Sequence, residues 1–562
     1  MIPPRLALLA FLPAAALPIA RAETAPDKAA PEAPIAAESA APSAYSFEAV
    51  EKEAAALAAK PYALEEDKVP PYFLGLNYDE FRDIRYLPGK AQWADTNSPF
   101  RAQFFHAGLF HNRVAKLYSV ENGAAKELPY ERERFEFGKL KVPAGTPYPN
   151  GYAGFRGHGE VNTPGVWDEF AVFVGASYFR CVPTKCGATY GLSARGLAVN
   201  TAAPGVPEDF PFFKKFWLER PRANGLATVA YALLDSPNVC GAYRFEIWPG
   251  KKVTTRVRAT LFMRTKVERL GLAPFSSMFW YGENSTARPA DFRPEVHDSD
   301  GLIVEEPDGR THWRPLLNDP KELRHSVFSV GKAKSFGLRQ RDLHFGNYED
   351  LEAWYHKRPG VRVTPGVNWP EGAVHLMELS TGEETWDNVV AYWQPTKIPG
   401  PGESLKVDYT IEWALEPFLT SQSLASVLGT HVGTREKRPD ITHYVIDFSK
   451  IPGESNREDA PVLKSEIYGD AKIEYSQIYY NAETRGWRVI LDVVPTPPPS
   501  TAASPSAPGT APTPNTASAE TSAAKAQTPA PARRERHGMR VWLERDERGV
   551  SERWDYLPAL TK

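Results

Sequence analysis

Cysteine is nearly absent: the chain holds Cys181, Cys186 and Cys240 among 562 residues. That excludes a disulfide-built scaffold, and the lack of a companion Cys/His pair at ligand spacing argues against a zinc site. Cys181 and Cys186 are close enough to pair across a short turn in an oxidising compartment, which would leave Cys240 free or buried. A surplus of one charge is missing too. With 66 Lys and Arg against 69 Asp and Glu, the net charge is -3, so nothing draws the chain to nucleic acid or an anionic membrane. No G-x-G-x-x-G, P-loop or βαβ rhythm occurs, which removes the usual nucleotide frameworks, and no cofactor is implied. No apolar run reaches the length of a membrane span.

What is present begins with an export signal. Leu6 to Ile19 is a short apolar run behind a positive Arg5, and Ala20-Arg21-Ala22 is an A-x-A cleavage pattern. The reading is a secretory signal peptide over 1–22, cut after Ala22, with no twin-arginine pair. Residues 23–45, rich in Ala, Pro and Glu, read as a disordered tether. Ser46 then caps a helix running to about Ala59, with Phe47, Val50, Ala54 and Leu57 near one face.

From about Pro70 to Phe418 the pattern is strand and turn. Thr255 to Arg264 alternates Thr255, Val257, Ala259, Leu261 and Met263 against polar neighbours, and Leu405 to Trp413 does the same with Val407, Tyr409, Ile411 and Trp413. Period-2 alternation with turn residues at short intervals predicts an antiparallel sandwich or barrel. The length calls for two or three domains. The pattern predicts one large β domain over 46–418 and a small immunoglobulin-like domain over 435–562. In the latter, Thr442–Phe448, Lys472–Tyr480, Trp487–Val494, Met539–Glu544 and Glu552–Tyr556 read as strands. A Pro/Ala-rich stretch, 495–535, interrupts it as a disordered loop.

The stretch with most chemistry in it is EETWDNVVAYW, Glu383 to Trp393. Its acidic turn (Glu383, Glu384, Asp387) opens into an apolar strand. Carboxylates at the mouth of a rigid strand suit acid/base work; a polar turn before a core strand would look the same.

Several blocks resemble the periplasmic glucan biosynthesis protein G/D family, closer to its G branch. They are GASYFR (Gly175 to Arg180), YGLSARGLA (Tyr190 to Ala198), ALLDSP (Ala232 to Pro237), FRPEVHDSDGL (Phe292 to Leu302), FGLRQRD (Phe336 to Asp342) and ETWDN, in colinear order from about Phe47 onward. The resemblance implies a galactose-mutarotase-like β-sandwich followed by an immunoglobulin-like one, in an exported periplasmic protein. It implies work on osmoregulated periplasmic glucans, β-1,2-linked glucose polymers, as an inverting β-1,2-glucanase-like hydrolase. A rival from the same family setting is a glucan-binding protein without turnover that docks a membrane glucosyltransferase.

The resemblance also assigns roles. Asp387 matches the family's acid and Glu384 belongs to the same site. The opposing base falls in the HDS block, at Asp298 or at Asp300 two residues on. Hydrolysis with inversion needs one protonated and one ionised carboxyl, roughly 6.5–9.5 Å apart. Asp298 alone also fits a turn residue in HDSDG. Trp280, Tyr281, Trp313, Trp354, Tyr355 and Trp386 are candidate sugar platforms, although each also fits a core position. Arg339 and Arg341 could bind sugar hydroxyls or orient carboxylates. His297 lacks partners for a metal and reads as structural. GFRGHGE (Gly154 to Glu160) is a Gly-rich loop without the strand–helix context of a phosphate cradle.

Overall fold

The computed structural model describes residues 45–63, 69–319, 322–415, 423–453, 459–496 and 538–557. The expected signal peptide, all of the tether but Tyr45, and all but the start of the Pro/Ala-rich stretch lie outside them. The chain forms two compact units, Met1–Gln422 and Ser423–Lys562, both built almost entirely of strands. The all-β sandwich class read from the alternation is the class the chain adopts.

In the first unit two sheets face one another. One runs, in spatial order, through Phe100–Phe105, Gly154–Gly159, Asp168–Val174, Tyr178–Cys181, Ser193–Arg195 and Leu270–Ser277. It continues through Val389–Pro395 and Gly372–Glu378 to an edge at Arg324–Gly331. The other includes Gly301–Glu305, Ser335–Arg339, Gly360–Pro365, Ser404–Ala414, Val253–Met263, Val239–Trp248 and Thr228–Asp235 as successive neighbours. Pairing is antiparallel except where Phe212–Glu219 meets Lys116–Glu121.

Alternation explains why the sheets stack. Along Val253–Met263, Thr255, Val257, Ala259 and Leu261 are buried while Arg256 and Arg258 point to solvent. Aromatic rings join the two sheets: Phe173 lies 5.0 Å from Phe245, Phe155 5.1 Å from Phe216, and Phe179 5.2 Å from Phe245. These edge-on contacts are the favoured geometry for ring quadrupoles. The helix Phe47–Ala58 buries Phe47, Val50 and Ala54 against Trp217, Tyr231, Leu233 and Ala242 on the outer face of the second sheet. Ser46 occupies the N-cap position in extended conformation, without a side-chain cap bond to the backbone.

Two local expectations are corrected. GFRGHG is a strand, Gly154–Gly159, whose glycines are needed for close approach: a Cβ on Gly154 would sit 2.0 Å from the Phe173 carbonyl oxygen, and one on Gly157 3.0 Å from the Phe170 ring. The Cys181–Cys186 pairing does not form. Cys181 is buried on its strand, 3.6 Å from the Thr255 hydroxyl, and all three cysteines are free thiols.

The second unit carries a four-stranded sheet in the order Val427–Arg435, Arg438–Phe448, Gly486–Pro495, Ala471–Asn481, with Val462–Tyr468, Gly538–Arg545 and Arg553–Tyr556 forming a further ladder. Its core centres on Trp554, stacked 4.9 Å from Tyr556 and edge-on 6.0 Å from Tyr444, with the indole N–H donating to Thr430 Oγ1 at 2.9 Å. Among the described residues no helix is long and apolar enough to cross a membrane.

Candidate functional site

The site forms where the strand Val389–Pro395 begins. Its first residue, Val389, pairs with Ser277 at the end of Leu270–Ser277. The preceding Asn388 is buried and clamps the next segment: its amide donates to the carbonyls of Phe279 and Leu379 at 3.0 and 2.9 Å, and its Oδ1 accepts the Phe279 N–H at 2.9 Å. Met278, beside Phe279, accepts the Asp298 N–H at 2.8 Å. The side chains of Ser277 and Ser299 bond at 2.9 Å. A short run of backbone contacts thus brings Asp387 and Asp298 to one place, although 89 positions separate them in the chain.

Asp298 is buried and ion-paired with Arg358. Arg358 is itself held, donating to the Ala353 carbonyl at 3.1 Å from Nε and 3.0 Å from Nη2, with its guanidinium 4.3 Å from the Tyr355 ring centre. Asp387 is partly buried. Burial is the largest influence on its carboxyl and, aided by the charge of Asp298, outweighs Arg180, Arg358 and Arg195 to push it up to about 6. Arg180 comes from Tyr178–Cys181 and donates to Ser193 Oγ at 2.6 Å. Arg195 lies one strand over, ion-paired with Glu208 at 3.3 Å.

Glu384 belongs to a second network. Its Oε2 accepts from Arg293 at 2.6 Å and from the Tyr355 hydroxyl at 2.7 Å. Arg293 also binds Asp350 at 2.8 Å and Asp291 at 2.8 Å. One guanidinium therefore ties together the 291–293, 350 and 384 loops. Each loop carries an exposed apolar side chain beside its tied residue: Phe292, Leu351 and Trp386.

Asp300 stands apart. Its Oδ2 accepts the backbone N–H groups of Arg341 and Asp342 at 2.7 and 3.0 Å, and its Oδ1 is buried without a hydrogen-bond partner. Burial, partly offset by His297 and Arg341, pushes it up to about 6. His297 is fully buried between Glu295 and Gln340, 2.9 Å from each. Burial opposes its charge, but the Glu295 hydrogen bond and the charges of Glu295 and Asp300 prevail and raise it to about 9.

The structure divides the expected platforms. Trp386 is exposed, and Trp280 and Trp354 are partly so. Trp354 adopts a left-handed backbone, φ 52°, and its ring lies 3.6 Å from Lys357 Nζ. Tyr281, Tyr355 and Trp313 are buried. Trp313 fills the space that a Cβ at Gly301 would occupy and carries Arg341 at 3.6 Å. Arg339 is wholly buried. Sequence reasoning missed Arg180, Arg195, Arg293, Arg358 and Asp350. The first three sit inside the blocks GASYFR, YGLSARGLA and FRPEVHDSDGL and could have been found there, whereas Arg358 and Asp350 carried no signal. Among the described residues no group of three His, Cys, Asp or Glu could hold a metal ion.

Two solved structures are similar over part of the chain: a GH36 α-galactosidase AgaA from Geobacillus stearothermophilus, and a doubly substituted form of it in complex with stachyose. Identity is 12% to both, with TM-scores of 0.19 and 0.20; they cover 43% and 39% of this chain. This chain spans 30% of the length of each, too little shared geometry to carry fold or function across. The family model "Periplasmic glucan biosynthesis protein, MdoG" matches residues 45–504, which hold both carboxylate segments and all the arginines that surround them. The chain belongs to this family of periplasmic glucan biosynthesis proteins.

Proposed function

We propose that this protein hydrolyses β-1,2-glucan backbones with inversion, Asp387 serving as general acid and Asp298 as general base. The supporting observation is the division of labour between two neighbouring carboxyls. Asp387 is pushed up to about 6 by burial and by the charge of Asp298, so a fraction of it keeps a proton near neutral pH. Asp298 is ion-paired with a guanidinium and contributes to raising Asp387. Pairs of carboxyls set apart in this way mark acid and base in glycoside hydrolysis. Asp387 gives its proton to the glycosidic oxygen as the C–O bond breaks. Water attacks the anomeric carbon from the opposite face and loses its proton to Asp298.

Asp298 suits the base better than Asp300 does, because its charge acts on Asp387. Asp300 instead interacts with His297, Arg341 and Tyr348 and holds the backbone at 341–342. Glu384, fixed by Arg293 and Tyr355, is placed to bind a sugar hydroxyl. Trp386, Trp280 and Trp354 are the platforms left accessible.

One observation favours a rival. Asp298 is already engaged by Arg358, which occupies an oxygen that a base would offer to the attacking water. In that reading the protein holds glucan without cleaving it and docks a membrane glucosyltransferase. Incubating the protein with linear β-1,2-glucan and measuring new reducing ends separates the two. Hydrolysis predicts steady release that Asp387→Asn reduces at least about a thousandfold, within the range spanned by general-acid and positioning effects. Binding by both proteins with no release from either would establish the rival.

A further inference from the structure

The outer face of the second sheet carries a groove of about 430 Å³, within the roughly 300–1,000 Å³ of small-molecule sites. It lies on the sheet that does not carry Asp387. Register sets its floor. Arg244, Arg258 and Asp408 stand side by side on three neighbouring strands, and Glu246, Arg256 and Thr410 form the next row, extended by Thr364 on a fourth. Residues facing each other across a ladder share a face, about 4.8 Å apart, so these polar heads form a two-row grid.

Neighbouring contacts hold the groove's two sides. On one side Phe47, the first residue of the helix, lies 4.7 Å beneath the Arg258 guanidinium. On the other, the turn 365–368 is pinned by Asp408, whose carboxylate accepts the N–H groups of Val367 and Asn368 at 3.0 and 2.9 Å. Gly366 is required there, since a Cβ would fall 1.7 Å from that carboxylate. Val367 stands on the rim 95% exposed.

Charge within the groove is largely compensated. Glu246 is shared by Arg244 at 2.8 Å and Arg256 at 4.0 Å, Asp408 holds the turn, and Glu48 lies close enough to Arg258 to feel its charge. The groove therefore lacks the unbalanced positive field that selects an anion. It presents planar guanidinium, carboxylate and amide groups with hydroxyls between them, on rows about 4.8 Å apart, a spacing that suits alternate rather than adjacent hydroxyls of a pyranose. We propose that this groove is a second glucan-binding site, which takes a short neutral segment of the polymer while the Asp387 site works on another. The inference rests on the membership in a glucan biosynthesis family and not on turnover at Asp387.

The test uses the full chain carrying Asp387→Asn and linear β-1,2-gluco-oligosaccharides as the probe, with stoichiometry read by titration calorimetry. Two bound oligosaccharides per chain are expected. Adding Arg256→Gln with Arg258→Gln, or separately the groove-filling Thr364→Trp, should leave one. Without the Asp387 change, these variants should release reducing ends from short oligosaccharides as the unmodified protein does, and bind long glucan at least fivefold more weakly. A single site in the parent, or a stoichiometry unmoved by both groove variants while their thermal midpoints stay unchanged, would overturn the proposal. Absence of hydrolysis would not, because the stoichiometry is read without it.

Discussion

Asp387 shows how one residue acquires its character from neighbours that are distant in sequence. Its carboxyl is raised to about 6 against Arg180, Arg195 and Arg358, which all act to lower it. A raised carboxyl costs folding stability once it ionises. Its favourable contribution is complete below the unfolded value near 3.9 and is lost as pH rises through about 6. Asp387→Asn should therefore stabilise the protein by about 1–3 kcal/mol at pH 7.5, and the gain should vanish near pH 4. Thermal midpoints across that range check it. In the same terms, kcat/KM on linear β-1,2-glucan should fall on a basic limb with an apparent pKa near 6. At this scale the sequence was informative: Asp387, Asp298 and Glu384 all stood in legible acidic blocks. Their partners were not legible, because Arg358 reaches Asp298 across 60 positions and Arg293 reaches Glu384 across 91. No local pattern encodes such pairs.

Among the elements, loops decide the site and strands only hold it. Alternation located the strands Val253–Met263 and Ser404–Ala414 to within two residues. It missed the strand Gly154–Gly159, where glycines removed the side chains that alternation needs. The loops at 291–293, 350 and 384 have no regular pattern at all, and Arg293 is what gathers them. Under the proposed function Arg293 is a positioning residue, which acts on substrate through Glu384. Arg293→Ala would leave Asp350 and Glu384 short of their shared cation, at a cost of about 3–5 kcal/mol if the pairs behave as buried ones. Loss of loop placement should lower kcat/KM about a hundredfold. Arg293→Lys supplies a charge but not the fork that serves three carboxylates, so it should restore the thermal midpoint more fully than kcat/KM. Equal recovery of both would mean that Arg293 is structural only.

For the whole molecule, the sequence conveyed class and order but not the facing of the two sheets. That facing is fixed by aromatic residues far apart in the chain, and Phe173 is at its centre. It touches Phe155 and Phe179 on its own sheet, at 4.9 and 5.2 Å, and Phe245 on the other. The catalytic candidate lies at the end of the first sheet, and the groove lies on the outer face of the second. A change that loosens the sandwich should therefore weaken both sites together, whereas changes within either site should spare the other. Phe173→Ala removes a ring at the centre of this contact and should cost about 3–5 kcal/mol, read as a lower urea midpoint. Below that midpoint, glucan binding and reducing-end release should fall in parallel with the folded fraction. If one activity survived unfolding of the sandwich as followed by tryptophan fluorescence, its site would not depend on the two-sheet core that positions both.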